Sequence, residues 1–406
     1  MRLLLILLFT VTFLGCSKVN KEYTEYNQFG GYTRDNNYSY LGNFNFSVNT
    51  KTKISINDFS GVINLPLFTD VDEFVAATSN GKINKIKGEK IVWSYECENK
   101  SNSITGIVAD IKKNYFFVTL EGFLYSISNS GKLNWRFNLN IDNSNLFISG
   151  EPLIVKNNIF IGTNSGYLFK FNTDGKLLFK NKYNASINSI FSSNGKDKIY
   201  LGLSTQLFDS TDKLLIINFS GKEIKSRSLN NFRILSPIIY NQDKIFVSGS
   251  FKTPSGISSA IKCFDENYKE IWEKEVPLII NQLSHDGQRL YAAGFSSGIG
   301  ENISGIFSYD DKGVEVWKNY FDFKIASPLL LCKKFLVFSG SDENGAGISI
   351  LNKNSGDLAD DFSFADETPL FLIPVISDNR DINLFGSQVL FQIKLTQTPL
   401  DKLLPY

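Results

Sequence analysis

The chain has 406 residues, with 42 Lys and Arg against 41 Asp and Glu and a single histidine. A formal charge of +1 supplies no global basic field to attract nucleic acid or acidic lipid, so nucleic acid is not expected as a partner. One histidine also excludes a histidine-based metal site, since one ring cannot supply several ligands.

The first element is Met1-Arg2 followed by Leu3–Leu14, apolar apart from Thr10 and Thr12. It is too short to span a bilayer and reads as the apolar region of a secretory signal. It runs into Thr12-Phe13-Leu14-Gly15-Cys16, which resembles the lipobox of bacterial lipoproteins. That resemblance implies cleavage before Cys16 and lipid on its thiol, and two or more acyl chains hold stably in a membrane. Ser17 stands where Asp would favour inner-membrane retention, so the expected location is the periplasmic side of the outer membrane. The expected organisation is a leader over 1–15, a lipidated Cys16 with a polar tether over 16–40, and one domain over 41–406.

From 61 onward a phrase recurs. Each copy is a strand, a Gly turn, a strand, a second Gly turn and a strand ending on an aromatic, as in 117–135 and 159–179. Trp93, Trp135, Phe179, Lys225, Trp272, Trp317 and Asp360 hold equivalent positions, 42 to 47 residues apart. Four residues earlier stand Gly131, Gly175, Gly221, Tyr268, Gly313 and Gly356; Gly supplies the positive φ of a tight hairpin, and Tyr268 departs from the pattern. A further strand precedes each copy, often opened by proline (Pro66, Pro152, Pro237, Pro328, Pro369). Four strands, A to D, at this period predict an all-β protein, a β-propeller whose stacked blades bury one another's faces. Units begin near 61, 104, 150, 186, 234, 278, 325 and 368, which predicts eight four-stranded blades, with seven as the alternative because the last copy is weakest. A strand at about 41–56 is expected to close the ring as the outer strand of the last blade.

Several residues invite a chemical reading and a plainer one. Ser284, His285 and Asp286 are adjacent, and on an extended segment neighbours point to opposite faces, so they cannot form a triad; His285 reads as a turn residue. Asp342-Glu343-Asn344-Gly345 and Asp310-Asp311-Lys312-Gly313 lack the full calcium-loop spacing and read as turn formers. Cys97, Cys263 and Cys332 lie in different blades without a metal-ligand spacing and read as small buried hydrophobes. The recurrence of Trp93, Trp135, Trp272 and Trp317 at one repeat position argues for packing between blades rather than sugar binding. No catalytic, metal or cofactor residue is assigned.

The B–C connections differ along the chain. They are tight in the first three copies and longer at Ser204–Asp212, Ser250–Ser259, Phe295–Ser304 and Ser341–Gly347. This predicts a raised collar on one face, with Leu207, Phe208, Ile257, Phe295, Ile299 and Ile303 as candidate partner-binding residues.

The pattern in Gly122–Trp135 and Gly166–Phe179, with Tyr26-Asn27-Gln28-Phe29-Gly30-Gly31 at the entry, resembles the pyrroloquinoline-quinone-like propeller superfamily. With the lipobox, the chain most resembles the propeller lipoprotein of the outer-membrane β-barrel assembly machinery. That resemblance implies a non-catalytic scaffold that binds a barrel-assembly subunit and needs no cofactor. The quinoprotein dehydrogenases of the same superfamily carry a cofactor bed and, in many members, adjacent paired cysteines, a pair missing here. The competing expectation is a periplasmic small-molecule or glycan binder, or a quinoprotein-like enzyme, with its site in the central channel.

Overall fold

The structure, a computed structural model, describes residues 66–364 apart from 71–72, 79–80, 89, 99–104, 120, 141–151, 193–197, 206–210, 236–237, 242, 255, 297–302, 326, 328, 332–333 and 343–344. It also describes the backbone of Glu25–Tyr26, Val48–Ile54, Ile373–Ile376, Ile382–Phe385 and Leu390–Leu395. The leader, Cys16 and most of the tether lie outside the described residues, as do Leu207, Phe208, Ile299 and Cys332.

The described residues form an all-β propeller. Blade 1 shows the unit: strands Leu67–Asp70, Glu73–Ala77, Lys82–Lys87 and Lys90–Glu96 pair in order as an antiparallel meander. The two middle strands of a blade are covered by neighbours on both faces, so Glu73–Ala77 and Tyr115–Val118 are buried throughout. Strand D meets solvent on its outer side, and Lys90–Glu96 alternates between exposed and half-buried residues.

The expectation of eight four-stranded blades is corrected by the strand topology. Seven blades of four strands are each folded from one uninterrupted stretch of chain between Leu67 and Phe364, the number held as the alternative. In blades 5 and 7 strand A is broken in two, Arg233–Ile234 with Ile239–Asn241 and Lys324–Ile325 with Leu330–Leu331. The unit read from 368 does not make a blade of its own, because the repeat ends before a fourth strand. Its three strands form a composite sheet with Val48–Ile54, which runs antiparallel to Leu390–Leu395 from Val48↔Leu395 to Ile54↔Leu390. The pairing of an N-terminal strand with the last hairpin is thus present.

The core is divided among the gaps between blades. One cluster joins Val75 and Ile83 of blade 1 to Tyr115, Phe117 and Tyr125 of blade 2. Others join blades 2 and 3 through Phe116, Leu124, Phe169 and Phe171, and blades 5 and 6 through Phe246, Trp272, Leu290 and Phe307. Each fully buried Leu, Ile or Phe contributes roughly 1.5–3 kcal/mol, and no blade could bury these faces alone.

The equivalent aromatics are set by a device repeated in every blade. The C–D register slips by one residue just before the aromatic position, at Val92, Asn134, Leu178, Ile224, Ile271, Val316 and Ala359. A bulge bends the strand and re-aims the next side chain. The tryptophan after it leans onto the following blade, where its indole N–H donates to a hairpin carbonyl: Trp93 to Asn129 at 3.0 Å, Trp135 to Thr173 at 3.0 Å, Trp272 to Asp311 at 3.2 Å and Trp317 to Lys353 at 3.0 Å. The expected packing role of the tryptophans is what the structure shows.

Candidate functional site

In an antiparallel meander the B–C and D–A connections emerge on one face of the ring and the A–B and C–D connections on the other. We call these the collar face and the hairpin face.

On the collar face, two of the four lengthened connections prove to be strand rather than loop. In blade 5, Lys244–Thr253 pairs with Gly256–Asp265 out to Thr253↔Gly256. In blade 7, Phe335–Asp342 pairs with Gly345–Asn352 out to Asp342↔Gly345. Pro and Gly in Phe251-Lys252-Thr253-Pro254-Ser255-Gly256 read as a loop, yet they make only the turn of a long hairpin. Strand D of blade 5 stops opposite Ser259, so the tip of that hairpin stands clear of it. The Asn231 carboxamide braces the tip, donating to the Lys252 carbonyl at 3.1 Å and accepting from the Lys252 N–H at 3.4 Å. The blade 6 connection is tied at its base by the Ser296 N–H donating to the Ile303 carbonyl at 2.9 Å.

Of the candidate partner-binding residues, Ile257, Phe295 and Ile303 are described, and all three are solvent-facing, 58%, 41% and 40% exposed. Phe295 and Ile303 flank the pair Phe295↔Ser304 at the base of the blade 6 connection. Ile303 lines a shallow groove of ≈ 700 Å³ with Pro277, Leu278, Tyr320, Phe321 and Asp322. Tyr320, half-exposed, is not among the residues found from connection length because it sits on strand D, on the solvent side shared by Val316 and Lys318. Ile257 tops the neighbouring hairpin of blade 5. Apolar groups on rigid strands beside a groove suit contact with a protein surface.

The residues weighed for chemistry are drawn apart. His285 is the last residue of its strand rather than a turn residue, and it is buried. Its ring stacks on Phe246 with centroids 4.8 Å apart, Nδ1 accepts from the Gly287 N–H at 3.0 Å, and Nε2 lies 3.6 Å from Asp311 Oδ1. Burial pushes its pKa down to about 4, against the opposing pull of Asp286 and Asp311. The Ser284 hydroxyl donates instead to the Leu329 carbonyl at 3.4 Å, and the Asp286 carboxylate meets Lys353 Nζ at 2.6 Å. Burial alone would raise the Asp286 pKa, but Lys353 and the backbone N–H groups of Gln288 and Arg289 outweigh it and hold it low.

Asp310 is the turn former expected, accepting from the Lys312 and Val314 N–H groups at 2.9 and 2.7 Å. Cys97 and Cys263 are free and buried, and burial pushes both thiols up to about 12. They behave as the small hydrophobes expected.

No family model matches the chain, and no curated protein matches it. Solved structures do. BamB from Moraxella catarrhalis aligns over 84% of this chain and 98% of its own, at 15% identity and a TM-score of 0.59. The computationally designed Ika8 protein aligns over 84% of this chain and 99% of its own, at 13% identity and 0.62. A europium-containing methanol dehydrogenase aligns over 82% of this chain and 83% of its own, at 11% identity and 0.60. The likeness to BamB agrees with the propeller read in the repeats. At these identities the shared property is the propeller, and one propeller hosts an enzyme as readily as other proteins.

Proposed function

We propose that this protein is an exported lipoprotein, anchored at Cys16 on the periplasmic side of the outer membrane, that acts as a non-catalytic scaffold for an envelope protein partner. The partner we favour is a subunit of the β-barrel assembly machinery. The likeness to BamB supports that reading, and one observation carries it: exposed Ile303 and Tyr320 line a groove on the collar face, with exposed Phe295 at the base of the same blade 6 connection and exposed Ile257 on the neighbouring hairpin that Asn231 braces. A scaffold needs only such preorganisation, since ordering a flexible loop on binding costs free energy that a fixed hairpin has already given up.

The experiment has two arms. Radiolabelled palmitate fed to cells should label the protein, and Cys16→Ser should abolish the label. Affinity capture of the lipidated protein after crosslinking should recover a barrel-assembly subunit. Capture that repeatedly yields no envelope protein would remove the scaffold reading.

A further inference from the structure

The strand Glu25–Tyr26 pairs antiparallel with Val108–Asp110, in the register Glu25↔Asp110 and Tyr26↔Ala109. Val108–Asp110 is strand A of blade 2, and its other edge is already taken by Tyr115–Val118. Glu25–Tyr26 therefore occupies the edge that faces the propeller axis. Strand A of a blade runs from the collar face to the hairpin face, here into the A–B turn at 111–114. An antiparallel strand beside it runs the other way, so Glu25, its N-terminal residue, lies toward the hairpin face. Cys16 lies nine residues upstream. A tether of that length reaches no more than about 30 Å when fully extended.

The charge of the two faces differs in the sense this polarity requires. Each C–D hairpin from blade 2 to blade 7 carries one lysine: Lys132, Lys176, Lys222, Lys269, Lys312 and Lys353. The A–B turns add Lys112, Lys113, Lys156 and Lys334 among the described residues. Among the described residues, the acids of the turns on that face are Asp174, Asp243, Glu266, Asp286, Asp311 and Asp357, and several are held by partners. Asp286 holds Lys353, Asp311 holds Lys244, and Asp243 and Glu266 both accept from the Tyr240 hydroxyl. Lys112, Lys132, Lys176, Lys222, Lys269 and Lys312 are exposed. Among the described residues, the collar-face turns and loops between strands hold no Lys or Arg and carry Glu98, Glu121 and Asp322, while Lys252 at the tip of the blade 5 hairpin and Lys324 at the start of blade 7 are exposed lysines beside them. The formal charge of +1 conceals this polarity.

We infer that the hairpin face rests against an anionic lipid surface, with the collar face turned away from it toward the periplasm. The inference rests on the anchor proposed at Cys16 and deepens it. The lipid holds the chain, the short tether enters by the hairpin face, and the lysine crown sets which side of the disc meets the headgroups. Lysines near an anionic leaflet each add affinity that falls away within a Debye length.

The test uses the processed, lipidated protein in phosphatidylcholine vesicles with and without phosphatidylglycerol. A fluorophore is placed at Lys176→Cys or at Ile303→Cys, and quenching by a headgroup nitroxide lipid is read. We expect quenching at 176, at least several-fold above that at 303, only with phosphatidylglycerol present. It should be lost in Lys132→Glu/Lys222→Glu/Lys269→Glu while the protein stays on the vesicles. A disulfide should form in Tyr26→Cys/Ala109→Cys. Equal quenching at both faces of a vesicle-bound protein, or no disulfide at that register, overturns the orientation and leaves the anchor standing. Failure of the protein to remain on vesicles removes the anchor, and the orientation with it.

Discussion

Trp272 of blade 5 covers Gly313 in the C–D hairpin of blade 6, so closely that a Cβ at 313 would fall 2.7 Å from the indole Cδ2. The same relation joins Trp93 to Gly131, Trp135 to Gly175 and Trp317 to Gly356. Glycine is therefore required there twice over, by φ of +76° and by the indole of the preceding blade. Gly313→Ala should lose about 2 kcal/mol or more, combining left-handed strain with the clash. A denaturant titration reads this as a lowered midpoint at unchanged slope.

Tyr268 shows the rule by breaking it. It holds the hairpin position of blade 5 at φ +58°, where other blades have glycine. The preceding blade offers Lys225 in place of an aromatic, so no indole occupies the gap. Tyr268 fills it, buried with Tyr200, Leu214 and Ile216 of blade 4, and its carbonyl accepts from Arg227 Nη1 at 2.6 Å. The aromatic thus comes from the opposite side of the same interface. Tyr268→Gly should cost about 3 kcal/mol despite relieving backbone strain. Adding Lys225→Trp should recover at least about 1 kcal/mol by restoring the common pair. A double variant no more stable than Tyr268→Gly alone would show that the two positions do not substitute for each other.

His285 predicts an acid sensitivity. Its folded pKa of about 4 lies below the ordinary value near 6.5. Between those values the unfolded chain binds the extra proton, so stability is full above pH 6.5 and falls as pH drops toward 4. The loss from this group is on the order of 3 kcal/mol. His285→Asn should be less stable at pH 7 but should show a shallower decline from pH 6.5 to 4.5. Asp286 acts lower still, its Lys353 pair being lost only as pH falls through its depressed pKa, and it is common to both proteins.

The thiols of Cys97 and Cys263 should resist maleimide in the native protein at pH 7.5 and react fully in denaturant. Burial denies the reagent access, and the raised pKa leaves almost no thiolate. Rapid native labelling of Cys97 would contradict the packing between blades 1 and 2, and of Cys263 that between blades 5 and 6.

The sequence carried the propeller because its glycines and tryptophans are locked to each other across blades, so both recur with the blade period. The blade number was harder to read. The unit from 368 resembles a copy but has only three strands of its own, and strand count depends on a partner more than three hundred residues away, Val48 pairing with Leu395. The collar was half legible. Ile257, Phe295 and Ile303 could be found from connection length, whereas hydrogen bonding across Thr253↔Gly256 turned an apparent loop into strand. Tyr320 was hidden because it lies on strand D rather than in a lengthened connection, although Val316, Lys318 and Tyr320 alternate regularly toward solvent. The polarity of charge went unseen because the formal total sums both faces.

The most direct test of the scaffold account is photocrosslinking in living cells from a reactive residue placed at Ile303, compared with one at Lys176 on the opposite face. The account predicts a discrete adduct with a barrel-assembly subunit from Ile303, lost in Phe295→Asp while the fold is retained, and none from Lys176. Identical adducts from both positions, or none from Ile303 in cells where the protein is correctly anchored, would contradict it.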